Sequence, residues 1–296
     1  MRQIVCVVIT AVLLFPAPAQ CWWDEGHQVI ARIAVKHLTP AALLRVSNLL
    51  DVENTPEAVA GAMATASIWA DQVMADTETG SWHFLNLTLQ DSRANIAGRC
   101  PDDDCATVRV RLFAAQLKAN DPAADSRFSD EDALRFLVHI VGDLHQPLHA
   151  SSDADQGGNC ETLDVGIDQA KNLHAVWDGP LVSRMGVDDT ALATELDAEI
   201  ADMPDDERAD FSTGDPDDWA WEAHRLAVVN VYKRLAIPKQ EIVFPGTCSQ
   251  SPDEIQQLHV EIDEKYMHDM QPIVRQQLKK AGLRLARLLN ETLGGS

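Results

Sequence analysis

The sequence predicts one domain of the all-α class, on three observations. Helix-start signals recur along the whole chain, in Thr39-Pro40, Thr55-Pro56, Ser129-Asp-Glu-Asp and Ser251-Pro-Asp-Glu. Apolar residues between them return at helical spacing, as in Ile30, Ile33, Ala34 and Leu38. No Gly-rich phosphate loop, GxSxG elbow, internal repeat or linker divides the chain. With 296 residues, 46% of them hydrophobic, the chain is long enough to build a substantial core.

In chain order, Met1-Arg2, the apolar run Ile4 to Phe15 and the small residues up to Cys21 read as a secretory signal, with cleavage after Ala19 or Cys21. That run is too short for a membrane span, and no later segment is apolar enough for one, so a secreted or periplasmic protein with no membrane partner is expected. Trp22 to His27 opens the first helix. The helix begun at Thr55 is predicted to run through Asp71, Ser81 to Leu89 reads as a short extended piece, and residues 106–119 read as helix. Asp121 to Ser129 reads as loop, as does the Gly157-Gly158 stretch from Asp153 to Asn159. The acidic stretch Met203 to Asp218 reads as a solvated loop and Trp219 to Leu235 as helix. A long helix is expected from Ser251, broken or kinked at Pro272, followed by a core-packing helix from Ile273 to Leu293.

The chemistry centres on Phe136 to His149, FLVHIVGDLHQPLH. His139 and Asp143 are four residues apart and share one helix face, and Pro147 should turn His149 back toward the same space. NLHAVWD repeats the spacing with His174 and Asp178. Imidazole and carboxylate are ligand types that zinc accepts. His27, His83 and Asp71 stand beside turns or large apolar groups and join the candidates, since an aspartate among such neighbours needs a partner. His37, His259 and His268 look like ordinary surface positions, while His145 and His224 are either supporting donors or without a role.

Lys+Arg 24 against Asp+Glu 46 gives a net charge of −22. This balance excludes a broad electrostatic grip on nucleic acid, though not an enzyme whose metal ions supply positive charge locally. Export places Cys100, Cys105, Cys160 and Cys248 in an oxidising compartment. Of three possible connectivities, the preferred one joins Cys100 to Cys105 across a short acidic loop and Cys160 to Cys248. A thiolate zinc site is the rival reading, disfavoured because no CxxC spacing exists.

Taken together, WWDEGH, IWAD, WHF, HIVGDLHQPLH, GGN, NLHAVWD and AGLRLARLLN resemble the zinc-dependent single-strand-specific nucleases of the S-one/P-one type, which include mung bean nuclease. The motifs run in family order from residue 22 to 290. The resemblance implies a mostly helical domain over 22–296, of the fold shared with phospholipase C, with three zinc ions in a cleft. By matching position, Asp71, His83, His139 and Asp143 would hold one zinc, and His149, His174 and Asp178 the second. The third would take His27, Asp143 as a bridge, and the free α-amino group and carbonyl of Trp22. That ligand moves the expected signal cleavage to the bond between Cys21 and Trp22.

The resemblance further implies hydrolysis of single-stranded DNA and RNA by a zinc-bound hydroxide, with Asp71 orienting the nucleophile and Asp143 bridging metals. Products would carry 5′-phosphates, and 3′-nucleotidase activity would accompany the nuclease. Phe84 would stack on a base and Asn86 would meet its edge. Two positions depart from the family pattern: Asn86 replaces an acidic residue, and Met74 stands where relatives often carry arginine. Two rivals remain, a zinc-dependent phospholipase C and a non-catalytic exported zinc-binding protein. The three-ligand second site, with an open position, argues against the latter. Oligomeric state leaves no trace in the sequence, and a monomer is the default expectation.

Overall fold

The computed structural model describes residues 22–119, 127–186, 188–240 and 246–295. The proposed signal segment and most of the loop expected at 121–129 lie outside the described residues.

Helix α1 (Asp24–Lys36) begins with Asp24 and Glu25 and ends with Lys36, charges that suit its dipole. Helices α2 (Pro40–Leu49) and α3 (Pro56–Ala66) start as expected, with the Thr39 and Thr55 hydroxyls accepting the amides of Ala42 and Ala58. The helix from Thr55 does not run on to Asp71. It stops at Ser67, whose hydroxyl donates back to the Ala64 carbonyl at 2.7 Å, and α4 (Trp69–Thr77) starts afresh with Asp71 in its first turn. The stretch expected to be extended begins instead with a 3-10 turn over Gly80–His83; from Phe84 the chain is extended, and Leu87 forms an isolated parallel bridge with Ser151. Leu85 N donates to His149 O, and Ser152 N donates to Leu87 O.

Helix α5 (Ala106–Ala119) packs along α6 (Asp130–Asp143), which opens with a Ser129/Asp132 capping box. After a 3-10 turn at Pro147–Ala150, strands β1 (Thr162–Ile167) and β2 (Ala170–Asn172) form an antiparallel pair. A short β3 (His259–Val260) joins β1 in parallel, giving the order β2-β1-β3, a small sheet in an otherwise helical fold. Helix α7 (Leu173–Asp178), capped by Asn172, and the single turn α8 (Pro180–Ser183) follow the hairpin.

Helices α9 (Asp189–Ala201), α10 (Asp205–Ser212) and α11 (Pro216–Leu226) come next. The acidic stretch read as loop is therefore largely helical. Its carboxylates sit in first turns, where the dipole favours them, and Asp215 and Asp218 form a capping box. Helix α11 passes into a π-helical segment, Ala227–Tyr232. The helix started by Ser251 is only one turn, α12 (Asp253–Gln256). The final helix α13 runs unbroken through 30 residues, Glu264–Leu293, across Pro272. Pro272 lies on the exposed face, where water can replace the lost hydrogen bond.

Helix α1 is the centre of the core, packed against α3, α9 and α13. Arg284 of α13 ties the end of α6 to this layer: it is buried, donates to His145 Nε2 at 2.8 Å and pairs with Glu222 at 2.7 Å. Both expected disulfides form, Cys100–Cys105 and Cys160–Cys248, with Cα separations of 5.4 and 5.0 Å.

Candidate metal centre

Three buried groups of side chains meet where α1, α4, α6 and α7 converge: Asp71/His83/His139, His27/His139/Asp143 and His149/His174/Asp178. Within each group the ligand atoms lie within 4.8 Å of one another. The six expected histidines and aspartates on these elements are there, together with His83 of the 3-10 turn and His149 after Pro147.

His139 is common to the first two groups, and Asp143 faces both. Its Oδ2 lies 3.1 Å from His83 Nδ1 and 3.3 Å from His139 Nε2, while its Oδ1 lies 3.3 Å from His27 Nε2. Asp71 Oδ1 closes the first group at 3.4 Å from His139 and 3.5 Å from His83. The third group spans 3.3 Å from His174 Nε2 to Asp178 Oδ2 and 3.7 Å from His149 Nε2 to Asp178 Oδ1.

Backbone carbonyls orient three of the imidazoles. His139 Nδ1 meets Ser67 O at 2.6 Å, His149 Nδ1 meets His83 O at 2.8 Å, and His174 Nδ1 meets Gly157 O at 2.7 Å. Each carbonyl anchors an Nδ1 and so turns the Nε2 of that ring toward its group. The break after α3 thus has a use: it frees the Ser67 carbonyl for His139. Asp178 Oδ1 accepts from Gln146 Nε2 at 2.7 Å.

Two glycines make this approach possible. A Cβ on Gly142 would meet His27 Nδ1 at 2.7 Å, so α1 lies against α6 only because position 142 lacks one. Gly157 has φ +63°, and a Cβ there would meet Leu148 O at 2.5 Å. Trp22 is fully buried beside this contact, its indole donating to Gly142 O at 3.1 Å, and Trp23 N donates to Asp178 O at 2.8 Å.

Burial and charge pull these groups in opposite directions. Burial disfavours a charged His139, but Asp143 and Asp71 outweigh it and hold the imidazole well above its ordinary range. Asp143 is held well below the carboxylate range by His139, His27 and His83 despite complete burial. His149 is raised to about 9, with Asp178 and Asp143 overcoming burial. Burial wins at His27 and His174, which are lowered.

The donor set fits a metal ion. His27 Nδ1 and Nε2, Asp71 Oδ1, Asp143 Oδ1 and His149 Nε2 are buried and make no hydrogen bond. Buried polar atoms are otherwise almost always satisfied, so clustered imidazole nitrogens and carboxylate oxygens left bare match a cation's ligands. A cleft of about 460 Å³ opens onto the groups, lined among others by Met74, Phe84, Asn86, His149 and His174. A similar hollow of about 470 Å³ at His37, Asp205 and Arg287 contains none of them.

The family model for S1/P1 Nuclease matches residues 22–294. The chain belongs to the S1/P1 nuclease family. Endonuclease 2 of Arabidopsis thaliana is 29% identical over 304 aligned positions, covering 99% of this chain and 98% of that protein. Nuclease S1 of Aspergillus oryzae is 31% identical over 163 positions, 53% of either chain, and Nuclease P1 of Penicillium citrinum is 31% identical over 164, 53% of this chain and 57% of its own. S1/P1 nucleases are metal-dependent, and the three His/Asp groups supply ligands of the required kind.

Several contributors to this S1/P1 nuclease site escaped the sequence reading. Ser67, Gly142 and Gly157 act through backbone position, which residue type does not advertise. Gln146 lay inside a quoted motif, but its partner Asp178 is 32 residues away. His145 turns out to belong to the Arg284 network, where burial and Arg284 lower its pKa to about 3. His224 instead braces the loop after His149, with Ser151 Oγ at 2.8 Å. Among the described residues, no helix is long and apolar enough to cross a membrane.

Proposed function

We propose that this protein is an exported, zinc-dependent nuclease that hydrolyses phosphodiester bonds of single-stranded DNA and RNA to 5′-phosphorylated products, with 3′-nucleotidase activity beside it. The observation that carries the reading is Asp143, one fully buried carboxylate whose two oxygens face two different histidine groups.

Three zinc ions are assigned to the groups: Asp71, His83, His139 and Asp143 for one, His149, His174 and Asp178 for the second, and Trp22, His27 and Asp143 for the third. Bound zinc supplies positive charge for the phosphate and acidifies nearby water. The protein's own part is positioning. Asp143 fixes the spacing of the two groups it joins. Asp71 is the least buried of the carboxylates in the three groups, its side chain 13% exposed, and can accept a hydrogen bond from the attacking nucleophile and orient it. Phe84, exposed at the cleft, offers a stacking face to a base, and Asn86 beside it offers an amide to the base edge. Met74 lines the same cleft, so no cation stands there to hold the scissile phosphate.

Residues 1–21 are assigned as a signal peptide and 22–296 as the nuclease domain, acting as a secreted or periplasmic monomer. The buried Trp22, pinned at Gly142 and followed by the Trp23–Asp178 bond, supports a mature amino terminus inside the metal centre. The test is zinc-loaded protein beginning at Trp22 on single-stranded DNA, with and without chelator, the product ends typed. Chelator-sensitive release of 5′-phosphorylated fragments is expected. Intact DNA alongside hydrolysed phosphatidylcholine would overturn the reading.

A further inference from the structure

The cleft over the metal groups shares a wall with a second cavity. This cavity, about 340 Å³, is lined by Ser81, Phe84, Asn86, Gly98, Pro101 and Cys105 among others, and Phe84 and Asn86 are the two residues common to both spaces. Its size falls within the range of small-molecule pockets, roughly 300–1,000 Å³. Phe84 is 39% exposed, one of three exposed large hydrophobic residues among those described; the other two, Leu44 and Val229, line neither space.

The backbone that carries the ring is held from both sides. Phe84 O accepts the Ala106 amide at 3.2 Å, next to the Cys100–Cys105 bridge, while the following amide, Leu85 N, donates to His149 O at 2.8 Å. The charged residues of the second cavity are matched by partners. Arg99 makes a two-pronged contact with Asp91, at 2.8 and 3.0 Å, and Asp104 accepts from Ser81, Trp82 and Arg109. The remaining interior is apolar, with an amide at its mouth. That chemistry suits the flat, weakly polar face of a nucleobase and not a phosphate.

We propose that the second cavity is a nucleobase subsite, and that Phe84 is a wedge between two successive bases of one strand, one on each face of its ring. The proposal rests on the reading that the substrate is a nucleic-acid strand. Stacking on both faces is tolerant of base identity, because every base has a π-face. Inserting a ring between neighbouring bases requires the strand to open by one ring thickness. A single strand does this readily, whereas a duplex must unstack. The wedge therefore contributes to single-strand preference.

The experiment uses the zinc-loaded protein and a set of pentanucleotides, each with one abasic position. Two adjacent positions are expected to be sensitive, each loss lowering kcat/KM on the order of tenfold. Gly98→Trp assigns the second of them: Gly98 lines the cavity and a Cβ there meets nothing within 4 Å, so the position admits a large side chain. The variant is expected to lose sensitivity at that position and keep it at the other, with Gly98→Leu in its place if the tryptophan protein melts early. A single sensitive position in the wild type overturns the subsite, as do two that persist in the folded variant. If the intact pentanucleotide is not cleaved at all, the nuclease reading itself falls.

Discussion

Gln146 donates its side-chain N–H to Asp178 Oδ1 across 2.7 Å, while its own carbonyl oxygen receives the Leu148 amide at 2.5 Å. One amide thereby fixes both a carboxylate of the third group and the turn that delivers His149. Gln146→Leu removes both bonds at nearly constant volume. Metal affinity of this group is expected to fall about 10–100-fold, the usual cost of losing a ligand's supporting partner. Competition against a chromophoric chelator measures it, and an unchanged affinity would show that Asp178 is oriented by packing alone.

Asp143→Asn should be far more severe. The substitution keeps the shape and removes the charge that faces His27, His83 and His139. Loss of at least one metal equivalent is expected by elemental analysis, with activity down on the order of a thousandfold or more if Asp143 joins two metal positions as proposed. A variant retaining full metal content and activity would exclude the bridging assignment.

Gly142→Ala tests helix approach. The added methyl would sit within contact of His27, so α1 must shift away from α6. Destabilisation of roughly 1–3 kcal/mol is expected from overpacking, together with weakened metal binding at the His27/Asp143 pair. Thermal melts with and without metal separate the two effects, and an unaffected metal-induced rise in Tm would argue that His27 is not a ligand.

Protons and metal compete for the same imidazoles. Burial opposes charge on His149, but Asp178 and Asp143 raise its pKa to about 9. The metal-free imidazole therefore holds a proton at neutral pH that a cation must displace. Apparent affinity is expected to climb as pH rises toward 9. Chelator competition between pH 6 and 9.5 reads the slope, and a flat profile would contradict a protonated His149.

Two pairs of the candidate ligands were legible because each motif keeps its own local spacing: His139 and Asp143 on one turn, His174 and Asp178 on another. What supports them was not. The Ser67 carbonyl, the bare Cα of Gly142 and the Gln146–Asp178 bond depend on which helices meet, and that is decided by packing at long range. The same holds for the fold. Thr39, Thr55 and Ser129 announced their helices through cap chemistry that works within four residues. The acidic run 203–218 was misread because net charge suggests solvation, whereas Asp215 and Asp218 in fact cap a helix whose far side packs Trp219 and Ala223 inward. Pro272 misled in the opposite direction, since proline breaks a helix least where the freed carbonyl can find water.

Glu161, which is in none of the three groups, governs how stability depends on pH. Its side chain is wholly buried beside Asp155, and burial followed by Asp155 and Asp153 pushes its pKa to about 10. Asp155 meanwhile accepts the Tyr232 hydroxyl at 3.0 Å. The folded protein thus keeps Glu161 protonated where the unfolded chain ionises it, near 4.5. Since the folded state binds the extra proton, stability is fully present below about 4.5 and drains as pH rises toward about 10. Glu161→Gln, which mimics the neutral acid, should flatten that decline in urea melts across pH 5–9.5. Parallel profiles for the two proteins would mean that Glu161 ionises in the fold.

Every side chain assigned to metal lies between residues 22 and 178, yet α1, which carries His27, is braced by α13 at residues 264–293. During synthesis the complete ligand inventory emerges long before the scaffold that holds it in register. Nascent chains therefore pass through a stage in which they are rich in exposed chelating groups and have no preformed centre. The centre is thus complete only once the last helix has docked: a chain ending before residue 264 would carry every candidate ligand and lack the helix that braces His27.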